Sequence, residues 1–214
     1  GIIQYLVNII QPKSKFFVEF GVENYQQSNT RFLLVNNNWR GLVIDGSREN
    51  IEFIKNDEVS WAHDLRATCS FLTRENIDAV LRDNISGEKV DILSVDIDGN
   101  DYWVWENITS IDPVIVICEY NSIFGPTADV STPYQSDFVR GKFHSSNIVY
   151  GASIRALCRL ASEKGYALVA GNNAGNNLFF VKSTELGSLK ELSAEEAYKK
   201  ASFREHKEKD GSLS

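Results

Sequence analysis

The most informative run of this sequence lies at residues 90–99 and reads Val90-Asp91-Ile92-Leu93-Ser94-Val95-Asp96-Ile97-Asp98-Gly99. Its first six residues are mostly apolar and predict a strand over 90–95 that is covered on both faces. A second apolar run at residues 114–118 predicts a neighbouring strand. Because continuously apolar strands occupy the centre of parallel sheets, the core is expected to form around this pair.

Short β-branched and aromatic runs alternate with helical patterns on both sides of this pair, which indicates a mostly parallel α/β sheet. The other strands are predicted at residues 16–20, 41–45, 59–63, 166–170 and 177–181, and helices at 2–10, 27–36, 48–55, 73–81 and 153–164. A turn rich in glycine and asparagine joins the last two strands and predicts an antiparallel hairpin. The predicted fold is α/β: a seven-stranded, mostly parallel sheet with an antiparallel terminal hairpin and helices on both faces, the class I methyltransferase layout.

The length of 214 residues is that of one domain. We expect this domain to occupy residues 1–184, and residues 185–214 to form a charged C-terminal helix or linker that opens with the capping box Ser193 to Glu196. The net charge of −7 argues against a nucleic-acid partner, since binding the phosphate backbone needs a basic face. The chain is consistent with one domain of a longer protein or with a homo-oligomer.

The cellular location is inferred from the N-terminus and the cysteines. Residues 1–10 are apolar but too short and interrupted to span a membrane, and they do not have the form of a signal peptide. The three cysteines, Cys69, Cys118 and Cys158, are widely spaced and show neither metal-ligand spacing nor a disulfide pattern. The sequence therefore predicts a cytoplasmic protein without a membrane span.

A ligand is expected at the carboxyl ends of the strands, near the point where the strand order reverses. The first strand ends in the run from Glu19 to Asn24, in which Gly21 permits a tight turn and close approach to a ligand. One glycine is a poor pyrophosphate cradle, whereas S-adenosylmethionine (SAM) carries no phosphate. Asp45 ends the second strand and is expected to accept both ribose hydroxyls, with capping of the next helix as the alternative. Asp64, just past the predicted third strand, is expected to face the adenine amino group, with a helix or turn cap as the alternative, and His63 precedes it as a strand-end residue.

The sequence also resembles a known family. The runs 17–21, 28–30, 39–42 and 44–45 look like the opening of the FkbM-like SAM-dependent methyltransferases, and 90–99 is similar to the fourth-strand motif of that family. The resemblance is best over residues 15–125, although the glycine motif is reduced and Asp45 stands where Glu is more usual. It implies a sugar or glycan acceptor and a role in polysaccharide assembly. The cofactor-binding residues expected on both grounds are Glu19, Gly21, Asn24, Ser28, Asp45, Gly46, Ser47, His63, Asp64 and Asp96.

Acidic side chains follow the two central strands. Asp96 and Asp98 are two residues apart, as are Glu119 and Asn121, so each pair is expected on one side of its strand and the four oxygen ligands at one rim. Such a cluster suits Mg²⁺ or Mn²⁺. Two alternatives stay open: the turn 98–101 simply caps the following helix, or the acids orient SAM and the acceptor without a metal.

Methyl transfer to a hydroxyl needs a group that removes or acidifies the proton. Asp96 and Glu119 are the candidate catalytic residues, with His144 in the irregular segment 122–150 as an alternative base. The sequence thus predicts a SAM-dependent O-methyltransferase that acts on a sugar or glycan hydroxyl. The alternative is a non-catalytic methyltransferase-like module associated with polysaccharide assembly.

Overall fold

The structure is a computed structural model and describes residues 1–201. Seven strands form one sheet: β1 (Phe16–Phe20), β2 (Arg40–Asp45), β3 (Leu65–Cys69), β4 (Ile92–Val95), β5 (Ile115–Glu119), β6 (Tyr166–Gly171) and β7 (Asn177–Lys182). The helices of this part of the chain are α1 (Ile2–Ile10), α2 (Arg31–Asn37), α3 (Arg48–Asn56), α4 (Glu58–Ala62), α5 (Ile77–Asn84), α6 (Asp101–Asn107), α7 (Arg140–Phe143), α8 (Ile154–Glu163) and α9 (Ala194–Ala197). Short 3₁₀ turns lie at Ser122–Phe124 and Ser183–Glu185.

The strand order is β3-β2-β1-β4-β5-β7-β6. Strands β1 to β5 pair in parallel, whereas β7 runs antiparallel to both β5 and β6. Consecutive strands step outward from β1 through β2 to β3, and the chain then returns to place β4 on the other side of β1. The order therefore reverses between β1 and β4, which is where open α/β sheets bind ligands. The predicted fold is confirmed, including the terminal hairpin.

Each face of the sheet carries its own hydrophobic core. In β1, Phe16, Val18 and Phe20 belong to one buried cluster and Phe17 to the other, as the two-residue period of a strand requires. The first face is covered by α5, α6 and α8 and the second by α1, α2 and α3. Strands β4 and β5 are buried along their whole length, which explains their continuous apolar sequence.

The third strand was predicted in the wrong place. Residues 58–62 form helix α4, because the side chain of Asp57 accepts a hydrogen bond from the Val59 N–H and caps it. The strand follows at Leu65–Cys69 on the edge of the sheet, where its residues are half-buried or exposed. An edge strand of this kind has little hydrophobic pattern by which to recognise it.

Two other helices begin later than predicted. Helix α2 begins at Arg31 and not at residue 27, and α5 begins at Ile77 and not at residue 73. In both cases hydrogen-bonded turns occupy the residues before the helix, such as Tyr25 N–H to the Val22 carbonyl. The predicted capping box at Ser193 and Glu196 is present and opens α9, whose two alanines pack on the first core.

Helix α1 has nine residues and buries Leu6 in the second core. In the part of the chain that the structure describes, no helix has the length and apolar character needed to cross a bilayer. All three cysteines are unbridged.

Candidate functional site

A cavity of about 410 Å³ opens at the carboxyl edge of the sheet, where β1 and β4 meet. This volume is within the usual range for small-molecule sites, about 300–1,000 Å³. Seven of the predicted site residues line it: Glu19, Gly21, Ser28, Asp45, Gly46, Asp96 and Asp98. The other predicted residues lie outside its lining: Asn24, Ser47, His63, Asp64, Glu119, Asn121 and His144.

Gly21 brings the end of β1 against the end of β4. Its φ is +69°, and a Cβ added there would lie 1.6 Å from the carbonyl oxygen of Asp96. Its N–H donates to the carbonyl of Ile44, 2.9 Å away. Only glycine satisfies both the left-handed conformation and this close approach, so the predicted tight turn is present.

The carboxylate of Glu19 holds the turn that follows. It is almost fully buried and accepts hydrogen bonds from the N–H groups of Asn29 and Thr30 at 2.8 and 3.1 Å, as well as from the Thr30 hydroxyl. Burial raises the pKa of Glu19, and these hydrogen bonds oppose the rise. Glu19 therefore fixes the position of the segment 21–30, which forms part of the cavity lining.

Asp45 joins three segments around the cavity. One oxygen, Oδ2, accepts from the Glu23 N–H at 2.8 Å, and Oδ1 accepts from the Ser47 N–H at 2.8 Å and the Asn50 side chain at 3.1 Å. A carboxylate has about four acceptor positions, so one remains for a ligand. Both interpretations of Asp45 thus have a structural basis: it lines the cavity and it also supports the start of α3, where Ser47 is the N-cap.

Because β3 lies at Leu65–Cys69, the residues that follow it, and not His63 and Asp64, line the cavity. His63 and Asp64 precede β3 and lie at the amino ends of the strands, opposite the cavity. There the Asp64 carbonyl accepts a hydrogen bond from the Gly41 N–H. The residues at the cavity are Ser70, Phe71 and Leu72, which follow β3. The Phe71 ring lies next to Gly46, since a Cβ added at Gly46 would be 3.2 Å from the ring.

Three carboxylates form a cluster beside the cavity, and one of them, Asp96, lines it. Asp96, Asp101 and Glu119 each place an oxygen within 4.8 Å of the others. Burial is the main cause that raises the pKa of Asp96 well above its usual value, and the neighbouring charges of Asp101, Asp98 and Glu19 add to it. Burial also raises the pKa of Asp101 to about 6. Carboxylates this close are stabilised by a shared proton or by a cation.

This cluster differs from the predicted set of ligands. The chain leaves strand geometry after Val95 and Asp98 has a φ of +57°, so Asp98 points away and pairs with Arg140 at 2.7 Å. The Asn121 side chain accepts from the Ile123 N–H and donates to the carbonyls of Ile148 and Tyr150. The structure therefore places Asp98 outside the cluster of Asp96, Asp101 and Glu119, and Asn121 as a ligand stays a prediction.

Asp101 belongs to the acidic cluster, although the sequence did not predict it as a ligand. It is fully buried, and its carboxylate accepts from the N–H groups of Ile97 at 2.7 Å and Gly99 at 2.9 Å. These bonds hold the turn 98–101, whereas Asn100, the N-cap of α6, makes no side-chain capping hydrogen bond, so the alternative in which this turn simply caps the helix is not borne out. The Asp101 carboxylate also completes the acidic cluster.

The segment 131–150 folds over the turn 98–103. Phe138 packs on Gly99, where a Cβ would lie 2.1 Å from its ring. The side chain of Asn100 donates to the Gln135 carbonyl, and the indole of Trp103 donates to the Thr132 carbonyl, both at 2.8 Å. His144, in the same segment, is exposed and bonds Ser146 outside the cavity lining.

Several cavity residues were not identified from the sequence: Phe71, Asn100, Phe138, Asn176 and Asn177. A correct placement of β3 would have indicated Phe71, because it directly follows that strand. Asn176 and Asn177 precede and begin β7, and the antiparallel direction of this strand brings its start to the same edge. Phe138 lies far from any strand end, so only the fold of the long segment reveals it.

Comparisons with known proteins identify the fold. No protein-family model matches the sequence, and no curated protein matches it. Among solved structures, an S-adenosylmethionine-dependent methyltransferase from Clostridium acetobutylicum has a TM-score of 0.53 at 9% identity, over 84% of this chain and 88% of the other. A putative caffeoyl-CoA O-methyltransferase from Staphylococcus aureus has a TM-score of 0.52 at 14% identity, over 85% and 81%.

The N-terminal domain of EvdMO1, crystallised in the presence of S-adenosylhomocysteine (SAH) and D-fucose, has a TM-score of 0.52 at 9% identity, over 84% of this chain and 79% of the other. At these identities the comparisons establish the class I methyltransferase fold. They do not distinguish the FkbM-like group from other proteins with this fold.

Proposed function

We propose that this protein is a SAM-dependent methyltransferase that transfers the methyl group to a hydroxyl of a sugar or glycan. The observation that carries the proposal is the acid-lined cavity at the reversal point between β1 and β4, with Gly21 and Asp45 on its wall. Solved structures with this fold include SAM-dependent methyltransferases. A negative cavity also favours a cationic sulfonium over a pyrophosphate.

The cofactor half of the cavity is formed by the ends of β1, β2 and β3. Gly21 allows close approach of a ligand, and Asp45 retains one acceptor position for a ribose hydroxyl. Phe71, which is half-exposed beside Gly46, presents an aromatic surface suited to stacking on a nucleobase. When bound, SAM would supply an activated methyl group on its sulfonium.

The acceptor half lies toward β4, β5 and β7. Asp96 lines the cavity and belongs to the acidic cluster, so it is placed to take the proton of an acceptor hydroxyl. Burial and the neighbouring carboxylates raise the pKa of Asp96, which makes its carboxylate a stronger base than that of a free aspartate. His144 and Glu119 are both outside the lining, so Asp96 is the strongest candidate for the catalytic base, and Glu119 contacts it within the acidic cluster.

The acidic cluster also fits a hard divalent cation. Asp96, Asp101 and Glu119 are the candidate ligands for Mg²⁺ or Mn²⁺, and each oxygen of Asp101 accepts only one backbone N–H and so retains a position for a cation. A cation at this position would acidify an acceptor hydroxyl and offset the repulsion among the three carboxylates. Asp98 pairs with Arg140 and is not included in the proposed set.

Calorimetric titration of the full chain with SAM and SAH tests the proposal. We expect both to bind, and Asp45→Ala to weaken SAM on the order of tenfold, the effect of losing one hydrogen bond of about 1.4 kcal/mol. Asp64→Ala is the matched control, because it removes an acid at the amino ends of the strands, away from the cavity. Absence of SAM binding by the wild type would favour a non-catalytic module, and equal SAM affinity in Asp45→Ala would remove Asp45 from the site.

A further inference from the structure

We infer that Tyr134 is a positioning residue that couples the two halves of the cavity, so that binding of SAM fixes the segment 131–150 beside the acceptor half. The coupling rests on the proposed methyltransferase function and concerns how its two ligands affect each other. Three parts of the chain carry it: the loop 70–76, Tyr134 itself, and the turn that follows Asp96.

The loop 70–76 joins β3 to α5 and is held together by its own hydrogen bonds. Its first three residues line the cavity, and Phe71 is the residue proposed to stack on the nucleobase of SAM. The side chain of Asn76 donates to the Phe71 carbonyl at 2.9 Å and accepts from the Thr73 N–H at 2.8 Å. Because these bonds tie the two ends of the loop together, a ligand that holds Phe71 also restrains residues 73–76.

Tyr134 connects this loop to the segment 131–150. Its hydroxyl donates to the carboxylate of Glu75, which is a charge-assisted hydrogen bond. The guanidinium of Arg74 lies over the Tyr134 ring, 4.2 Å from the centroid, and also bonds Glu75 at 2.9 Å. Within residues 1–201, every hydrogen bond and ring contact between the loop and the segment involves Tyr134. The loop and the segment are thus joined through one side chain.

On its other side, Tyr134 belongs to the structure that holds the turn after Asp96. The Tyr134 ring meets the Trp103 ring edge to face, with 6.3 Å between the centroids. Four residues further along the segment, Phe138 lines the cavity and packs on Gly99. Gly99 lies in the turn that directly follows Asp96, the proposed base. A displacement of the segment therefore acts on the acceptor half, where the base lies.

These contacts make the two ligands cooperative. A ligand that orders part of a protein lowers the ordering cost for a second ligand that needs the same part ordered. SAM restrains Phe71, the loop restrains Tyr134, and Tyr134 restrains the segment before the acceptor binds. Coupling of this kind is reciprocal, so the acceptor also strengthens the binding of SAM.

Hydrogen exchange of the full chain with and without saturating SAH tests the coupling, since SAH carries the same nucleobase as SAM. The N–H groups of Phe138, Lys142 and Phe143 form backbone hydrogen bonds within the segment, at 3.1, 2.8 and 3.0 Å, so their exchange reports its local opening. In the wild type we expect SAH to slow exchange at residues 70–76 and, by about fivefold or more, at residues 131–143.

Tyr134→Phe and Glu75→Ala break the connection from its two sides. In each variant SAH should still slow exchange at 70–76, whereas its effect at 131–143 should fall below about twofold. The double variant should lose no more than either single one, because both remove the same hydrogen bond. Tyr5→Phe is the matched control, since Tyr5 is exposed on α1, and it should behave as the wild type. A contact that only stabilises the segment would alter its exchange equally with and without SAH.

The coupling is overturned if SAH slows exchange at 131–143 as strongly in Tyr134→Phe and Glu75→Ala as in the wild type. It is also overturned if SAH binds the wild type and leaves 131–143 unaffected. Calorimetry on the same samples gives the SAH affinity. Absence of SAH binding by the wild type would refute the proposed function itself, and the two failures are therefore distinguishable.

Discussion

The contact between Gly21 and Asp96 leads to a quantitative prediction for Gly21→Ala. The substitution places an L-residue at φ +69°, which costs about 1–2 kcal/mol. It also places a Cβ 1.6 Å from a backbone carbonyl oxygen, which has to move. Since overpacking of a tight site costs about 1–3 kcal/mol, the total loss of unfolding free energy is expected to be about 2–5 kcal/mol.

Gly87→Ala is the matched control. Gly87 also has a positive φ, +89°, but a Cβ added there meets no atom within 4 Å. Gly87→Ala therefore has the free-energy cost of a positive φ but not the cost of a steric clash. Urea unfolding of wild type and both variants gives the two contributions separately, and calorimetry gives the SAH affinity. Movement of the Gly21 turn should weaken SAH in Gly21→Ala alone.

The reasoning would be refuted if Gly21→Ala destabilised the protein no more than Gly87→Ala does. In that case the ends of β1 and β4 would not lie as close as the structure places them. If stability fell as expected but SAH affinity stayed the same, the turn would be structural only. Residues other than the Gly21 turn would then have to bind the cofactor.

Two further predictions concern the acidic cluster. The free energy of unfolding should fall as pH rises from about 4 to about 6, because the folded pKa of Asp101 is about 6, above its usual 3.8, and the folded chain therefore binds more protons in this window. Asp101→Asn should flatten the dependence of the urea midpoint on pH, and an unchanged profile would exclude Asp101 as its source. Asp96→Asn should abolish methyl transfer to any glycoside that the wild type methylates, while SAH affinity changes less than about twofold. If Mg²⁺ raises the melting temperature of the wild type but not of Asp96→Asn, the cation site is supported, whereas full activity of Asp96→Asn would exclude this residue as the base.

The buried strands were readily predicted because their pattern is local. Phe16–Phe20 was placed with the bounds that the structure shows, and the two central strands within two residues. Every residue of these strands is buried, so the apolar run itself marks the element. The terminal hairpin was equally clear, because the turn residues between its strands are distinctive.

Strand β3 was predicted in the wrong place because its own residues show little hydrophobic pattern. Leu65–Cys69 is an edge strand with half-buried residues, whereas Val59 and Trp61 made the preceding helix look like a strand. The signal for the helix was present, since Asp57 and Glu58 are typical of a helix N-terminus. Trp61 is in fact 75% exposed, so a large apolar residue gave misleading evidence of burial.

The primary structure thus specified the layered α/β architecture, the edge of the sheet that carries the site, and the acids Asp45, Asp96 and Glu119 near it. Those features depend on periodicity and on residue types that follow each strand. Only folding in three dimensions separated Asp98 from the cluster, inserted Asp101 into it, and brought Phe138 and Asn177 to the cavity. Alternation of side chains holds only within a strand, and the path of a loop depends on partners distant in the chain, here Arg140 for Asp98 and Gln135 for Asn100.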